Sequence, residues 1–399
     1  MSSGAQAAPA ADDEHTAGFS LVCLGVSGGP LEHNCSCYVL KPAQQRWDQG
    51  TVLLEGGSWL GSLSRLLEHP ASSPFQDATF PEESTAESRV VLFNSWVKSM
   101  LVSHGHLDHF YGIVLASAAQ PSQRPLYGTR DTLEAIQGVF NGHVWPRLAS
   151  FRAEDPLAFY HLRPLEVRQV RTIAPGITVT PYALYHGLTW LPDKGGRNLD
   201  QSVACPNVEQ LSSGSVQDVP STAFLLTNEA CNRSMLFLGD VEADAPERHE
   251  CNLALWRAVA PRVAGGQLRT IFIECSFSNA QPKHMLFGHL SPSLLYAEVR
   301  TLARCVRAER GQSDDAASMA GTLQGLRFVV VHVKGLVLSK KLQHDRLGYK
   351  ENGDRCVIGD EHDSRPLSTV IHEELQELEA EHRLGVEFVM AQQGLRLEC

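Results

Sequence analysis

The 399-residue chain is long enough for one large α/β domain or two ordinary ones, with a sizeable core in either case. At 43% hydrophobic and 20% charged residues its composition excludes the disordered and fibrous classes, and no run reaches the roughly 20 apolar residues of a membrane span. The formal net charge of −11 repels polyanions, and the dispersed Arg and Lys form no basic patch, which weighs against a nucleic-acid substrate.

Residues 1–17 are small, polar and partly acidic. They lack the basic start and apolar centre of a secretory leader, so a flexible tail, a single domain over 18–399 and a cytoplasmic location are expected. Ten cysteines form no paired CxxC knuckles and are expected to be reduced and mostly buried. Cys35 and Cys37 read as same-face residues of one strand. The domain opens with GFSLVCLGVSGG, followed by two short apolar strands, CSCYVL (35–40) and TVLLEGG (51–57), the second ending in Glu55, Gly56 and Gly57. SWLGSLSRLL reads as a helix and the Ser/Pro/Glu-rich stretch 70–89 as a loop.

VKSMLVSHGHLDHFYGIVLAS places an apolar strand before a histidine cluster and a helix after it, so the cluster lies on a strand-to-helix turn. A helix over DTLEAIQGVFNG follows, then a strand or hairpin arriving at His186, and a hairpin turning at NEACNR and ending at Asp240. RTIFIECSF and LRFVVVHVKG are buried strands joined by the helix PSLLYAEVRTLARCVRAER, and near the end come the helix STVIHEELQELEAEH and the strand GVEFVMAQQ. Residues 192–221 and 311–322 have the composition of long loop insertions. There is no repeat of fixed period, but strands followed by helices occur twice, as in a sandwich of two similar halves.

His104, His106, Asp108 and His109 put four metal-capable side chains within six residues, a density that packing does not require. Alternation sends His104 and His106 to one side, while Asp108 and His109 turn toward a second site. His186, Asp240 and His332 each end or interrupt an apolar strand, where an unpaired polar group is costly. Taken together, in order after the cluster, they are best read as ligands. The assignment is His104, His106 and His186 to one metal, Asp108, His109 and His332 to another, and Asp240 to both. Two divalent ions, best suited by zinc, about 3.5–4 Å apart share a water, lower its pKa to about 7 and present hydroxide to phosphorus, with Asp108 orienting it. His289, in LFGHLSP, is the candidate acid for the departing oxygen, with Glu274 raising its basicity and fixing its tautomer. The alternative role for His289 is a cap on the next helix.

With those residues placed, HGHLDHFYGIVLASA (104–118) resembles the signature of the class II cyclic-nucleotide phosphodiesterases, with Phe110 in place of an aliphatic residue. The likeness extends in order through LGVSGGPLEHNCSCYVL, TLEAIQGVFNGHVWP, STAFLL with FLGDVEAD, ECSF with LFGHLSP, and VVVHVKG. It implies the α/β fold of the metallo-β-lactamase superfamily, an αββα sandwich of two mixed sheets flanked by helices. It also implies hydrolysis of the 3′ ester of cyclic AMP, and of cyclic GMP as a second candidate. The expected partner is a small cyclic nucleotide, with neither nucleic acid nor membrane, and a homodimer is left open. Competing readings are a tRNA 3′-end-processing endonuclease, a hydrolase of thioesters or lactones, and a non-catalytic scaffold. Against the last, all seven ligand positions are filled.

Overall fold

The computed structural model describes residues 17–192, 214–245, 247–313, 319–334 and 365–399. An eight-stranded sheet is formed by β1 (Phe19–Gly25), β2 (Cys37–Pro42), β3 (Thr51–Gly56), β4 (Val97–Leu101), β5 (Arg124–Gly128), β6 (Ala149–Ser150), β7 (Tyr160–Pro164) and the last strand, β15 (Arg396–Glu398), in the order 15-1-2-3-4-5-7-6. A seven-stranded sheet takes β8 (Arg171–Ala174), β9 (Ile177–Pro192), β10 (Gly214–Asn228), β11 (Arg233–Leu238), β12 (Leu268–Glu274), β13 (Arg327–Val331) and β14 (Glu387–Met390), in the order 14-13-12-11-10-9-8. Among the described residues the two halves of the chain therefore build one sheet each, with β15 alone of the strands crossing back, pairing antiparallel with β1.

Each sheet is buried on both faces, and the strand period of two shows why. In β1, Phe19, Leu21 and Cys23 point into the layer between the sheets, whereas Val22 and Leu24 point to the outer helices. In β13, Val329 and Val331 join the central layer, and Phe328 and Val330 the other outer layer. The first outer layer includes α1 (Trp47–Gly50), α2 (Leu60–Leu66), α3 (Ala86–Trp96), α4 (Leu107–Ala116) and α5 (Arg130–Val139); the second holds α6 (Cys251–Ala264), α7 (Pro292–Glu309) and α8 (Leu367–His382). The result is the expected four-layer αββα sandwich.

Parallel pairing sets the functional end. β3 runs parallel to β4, and β11, β12 and β13 run parallel to one another, so their carboxyl ends meet at one edge, where open α/β sheets place ligands. The helix following β4 is drawn tightly onto that edge. Gly112 of α4 lies so close to the backbone of Gly56 and Gly57 that a Cβ there would collide with both carbonyls, which brings the first turn of α4 over the end of β3.

Several sequence expectations need correction. Residues 86–89, taken as loop, begin α3, because the Thr85 hydroxyl accepts from the Ser88 backbone N–H at 3.2 Å and caps the helix. In the expected loop 192–221, Pro192 ends β9 and 214–221 belong to β10, paired Gly214 to Pro192; 193–213 lie outside the described residues. Gly311–Ser313 and 319–322 are non-helical, as expected, with 314–318 not described. Only Cys37 lies in β2, while Cys35 precedes it and its thiol donates to the Leu31 carbonyl. No helix among the described residues is long and apolar enough to cross a membrane.

Candidate metal centre

His104 lies three residues after the end of β4, and His106 is the N-cap of α4, whose first turn carries Asp108 and His109. Asp240 lies two residues after β11, Glu274 ends β12, and His332 follows β13. His186 lies inside β9 at a bulge: Leu188 pairs with Asp218 and Tyr185 with Pro220, so His186 and Gly187 together oppose Val219. The extra residue re-aims the imidazole out of the pleat. Glu55 and His332 turn their strand ends through left-handed backbone, with φ of 57° and 63°. Such non-glycine strain, costing about 1–3 kcal/mol, gathers at functional sites.

These elements bring all nine sequence-predicted residues together. One group that can hold a cation is His104, His106, His186 and Asp240; a second is Asp108, His109 and His332; a third joins Glu274 and His289 to His186 and Asp240. Asp240 stands between the first two groups, with its oxygens 3.8 Å and 3.7 Å from His104 and His186 Nε2, and 3.3 Å and 3.1 Å from His109 and His332 Nε2. Asp108 Oδ2 is 3.3 Å from His332 Nε2. His289 Nδ1 meets Glu274 Oε1 at 2.8 Å. The next helix starts at Pro292 behind Ser291, so His289 does not cap it.

The residues around the cluster orient its rings. The Ser103 hydroxyl meets His104 Nδ1 at 3.0 Å, the Gly288 carbonyl accepts from His186 Nδ1 at 2.8 Å, and Ser276 Oγ meets His332 Nδ1 at 3.0 Å. Glu55 Oε2 faces His109 Nδ1 at 3.4 Å, while its Oε1 accepts from the Ser103 backbone N–H at 3.0 Å. With Nδ1 hydrogen-bonded in His104, His186 and His332, and facing the Glu55 carboxylate in His109 without a hydrogen bond, each Nε2 is left for the centre, the usual support of metal-binding histidines. Gly28 backs the far side of His332 so closely that a Cβ would run into the ring. Sequence reasoning missed Glu55, Ser103, Ser276 and the Gly288 carbonyl. Glu55 carried the same signal as Asp240, an acid closing an apolar strand.

Electrostatics favour a bound cation. Burial holds His104 well below the ordinary histidine value, pushes His332 to about 4 and drives His289 down likewise, so the rise in His289 basicity expected from Glu274 is outweighed by burial. Burial opposes charge on His109 too, yet Asp240 and Asp108 hold it well above its ordinary value. Burial also works against ionised Asp240, but His332 and His109 keep it well below the carboxylate range. Burial, reinforced by Asp240, raises Glu274 to about 7. His104 Nε2 is fully buried and has no hydrogen-bond partner, a lone pair that a divalent ion satisfies. Five imidazoles and two carboxylates therefore fit a divalent metal centre.

A family model for class-II cAMP phosphodiesterases matches residues 29–394. The chain belongs to that family. It is 29% identical over 300 residues to a 3′,5′-cyclic-nucleotide phosphodiesterase of Schizosaccharomyces pombe, covering 73% of this chain and 77% of the relative. It is also 29% identical over 393 residues to a 3′,5′-cyclic-nucleotide phosphodiesterase of Candida albicans, covering 79% and 88%. The crystal structure of unliganded yeast PDE1 shares the fold at a TM-score of 0.73 and 22% identity, covering 96% of this chain and 100% of that one. The metallo-β-lactamase fold read from the sequence is thus the fold of this class-II phosphodiesterase.

Proposed function

We propose that this chain hydrolyses the 3′ ester bond of cyclic AMP to give the 5′-monophosphate, with cyclic GMP as the second substrate to test. The observation carrying the reading is the placement of Asp240 between two ligand groups beside the Glu274–His289 pair, in a member of the class-II family. His104, His106 and His186 would hold one divalent ion and Asp108, His109 and His332 a second, with Asp240 within reach of either group; zinc suits the imidazole-rich set best. Such a pair supplies an activated water and neutralises charge developing at phosphorus.

The protein's own groups do the rest. Asp108, at the mouth of the site with its carboxylate partly exposed, accepts a hydrogen bond from the attacking water and aims it. His289, its Nδ1 fixed by Glu274, protonates the departing 3′ oxygen, a contribution of about 10²–10⁴ in rate. Glu274 Oε1 holds that Nδ1 at 2.8 Å, which leaves Nε2 as the atom that carries the proton to be given up. The described cysteines are all unpaired, which supports a reducing, cytoplasmic setting.

The deciding experiment incubates zinc-loaded protein separately with cyclic AMP, cyclic GMP and precursor tRNA and resolves the products by chromatography. Formation of 5′-AMP is expected, with about two zinc ions per chain. Trimmed tRNA beside intact cyclic AMP would overturn the assignment.

A further inference from the structure

We propose that Lys334 is a phosphate-binding residue of this site, donating to a non-bridging oxygen of the cyclic phosphodiester. The inference deepens the phosphodiesterase reading and rests on it.

Lys334 lies two residues beyond His332, where the chain leaves β13 along the loop that follows β1. His332 N–H donates to the Val26 carbonyl at 2.6 Å, the Ser27 hydroxyl donates to the Val333 carbonyl at 2.8 Å, and Lys334 N–H donates to the Ser276 carbonyl at 3.2 Å. The backbone of Lys334 is thereby fixed to Ser276, whose hydroxyl serves both Glu274 and His332. Its side chain folds back, and Nζ donates to the Gly28 carbonyl at 2.9 Å. Gly28 is the residue pressed against the His332 ring, so the ammonium is held beside the metal-site histidines. Burial is the main cause of the low His332 and His289 values, and the Lys334 charge adds to it at both rings.

Lys334 makes no ion pair among the described residues; a neutral carbonyl takes one of its three N–H groups. A half-buried lysine whose ammonium donates to one neutral carbonyl among the described residues, on a chain of net charge −11, is poised for an anion. The protein's overall field repels a phosphodiester, so the charges that draw one in must be local. A lysine serves this purpose as a point charge that strengthens its hydrogen bond to a phosphate oxygen.

The test compares Lys334→Gln, Lys334→Met and Lys334→Arg with the unaltered zinc-loaded protein. Gln can keep the hydrogen bond to the Gly28 carbonyl while losing the charge, separating anion binding from support of the loop. For Gln and Met, KM for cyclic AMP and the inhibition constants of 5′-AMP and inorganic phosphate should rise on the order of 10- to 100-fold. Inhibition by adenosine, zinc content and melting temperature should not move, and Arg should recover most of the loss. Unchanged phosphate inhibition in the Gln variant, or zinc loss in step with phosphate affinity, would overturn the proposal. Direct calorimetric binding of inorganic phosphate keeps the two readings apart. If the unaltered protein left cyclic AMP intact, the functional reading would fall, yet phosphate affinity in the Gln variant would still decide the role of Lys334.

Discussion

Replacing Glu55 by Gln isolates the support of one ligand. Glu55 is fully buried, and its two oxygens serve different partners: Oε1 accepts from the Ser103 N–H at 3.0 Å, and Oε2 faces His109 Nδ1 at 3.4 Å. The amide oxygen of Gln can keep the first contact, but its NH₂ then meets Nδ1–H, donor against donor. His109 relieves the conflict by moving its proton to Nε2, which leaves the Nε2 lone pair unavailable to a metal. Loss of such a partner costs about 10–100-fold in metal affinity, or about 1.4–2.8 kcal/mol. None of His104, His106 and His186 touches Glu55, so the other ligand group keeps its affinity. Competitive titration of zinc against a chromogenic chelator should show one equivalent unchanged and one weakened, with turnover recovering as zinc is added. The fold should survive. Burial raises the Glu55 carboxyl above its ordinary value, although His109 and Ser103 oppose this, so its contribution to metal-free stability falls as pH rises above about 4.3. The metal-free Gln variant should therefore melt no lower than the unaltered protein at pH 7.5. If both equivalents stayed unchanged, or both disappeared together, Glu55 would not be the orienting group of His109.

Three further outcomes follow from the geometry. Gly28→Ala drives a Cβ into the His332 ring and should cut kcat/KM by on the order of 100-fold by misplacing a ligand by a fraction of an ångström; zinc stoichiometry and activity equal to the parent would refute the close packing. His289→Asn should slow cyclic AMP hydrolysis about 10²–10⁴-fold but spare a p-nitrophenyl phosphodiester, whose leaving group needs no proton. Equal losses on both substrates would remove His289 as the acid. Asp77 ties β15 to α1, accepting from Arg396 Nη1 and Nη2 at 2.7 Å and 3.1 Å and from Trp47 Nε1 at 2.9 Å. Burial resists its charge, but Arg396 and Trp47 hold its carboxyl below the usual range. That stabilisation is present above the unfolded value of about 3.9 and is lost as pH falls through the lower folded value. Asp77→Asn should cost about 1 kcal/mol at pH 7, after allowance for solvent screening, and the difference should close below about pH 4. Thermal melts at pH 7 and pH 3 check it, and a pH-independent gap would contradict it.

That nine candidate residues would cluster was legible in the sequence, because an ionisable side chain in or beside an apolar strand is expensive to bury without a partner. His104, His186, Asp240, Glu274 and His332 carry that local mark, His106, Asp108 and His109 stand out by the density of the cluster, and His289 by its place in LFGHLSP. Their grouping was legible too, since alternation and the strand-to-helix turn are local geometry. The helix over 251–264 went unread, and residues 214–221 looked like loop although β9 supplies their hydrogen bonds. Pairing between distant segments leaves no period in either strand alone. For the same reason β15 closing onto β1 could not be read from its three residues. Glu55 bore the right mark, but only the parallel alignment of β3 with β4 decides that it faces His109 across Ser103. Lys334 bore none, because a lysine after a strand is ordinary until the fold lays it over Gly28 beside the metal-site histidines. The sequence therefore determined which side chains need partners. The tertiary structure decided which partners they have, because each contact depends on register and crossover summed over the whole chain.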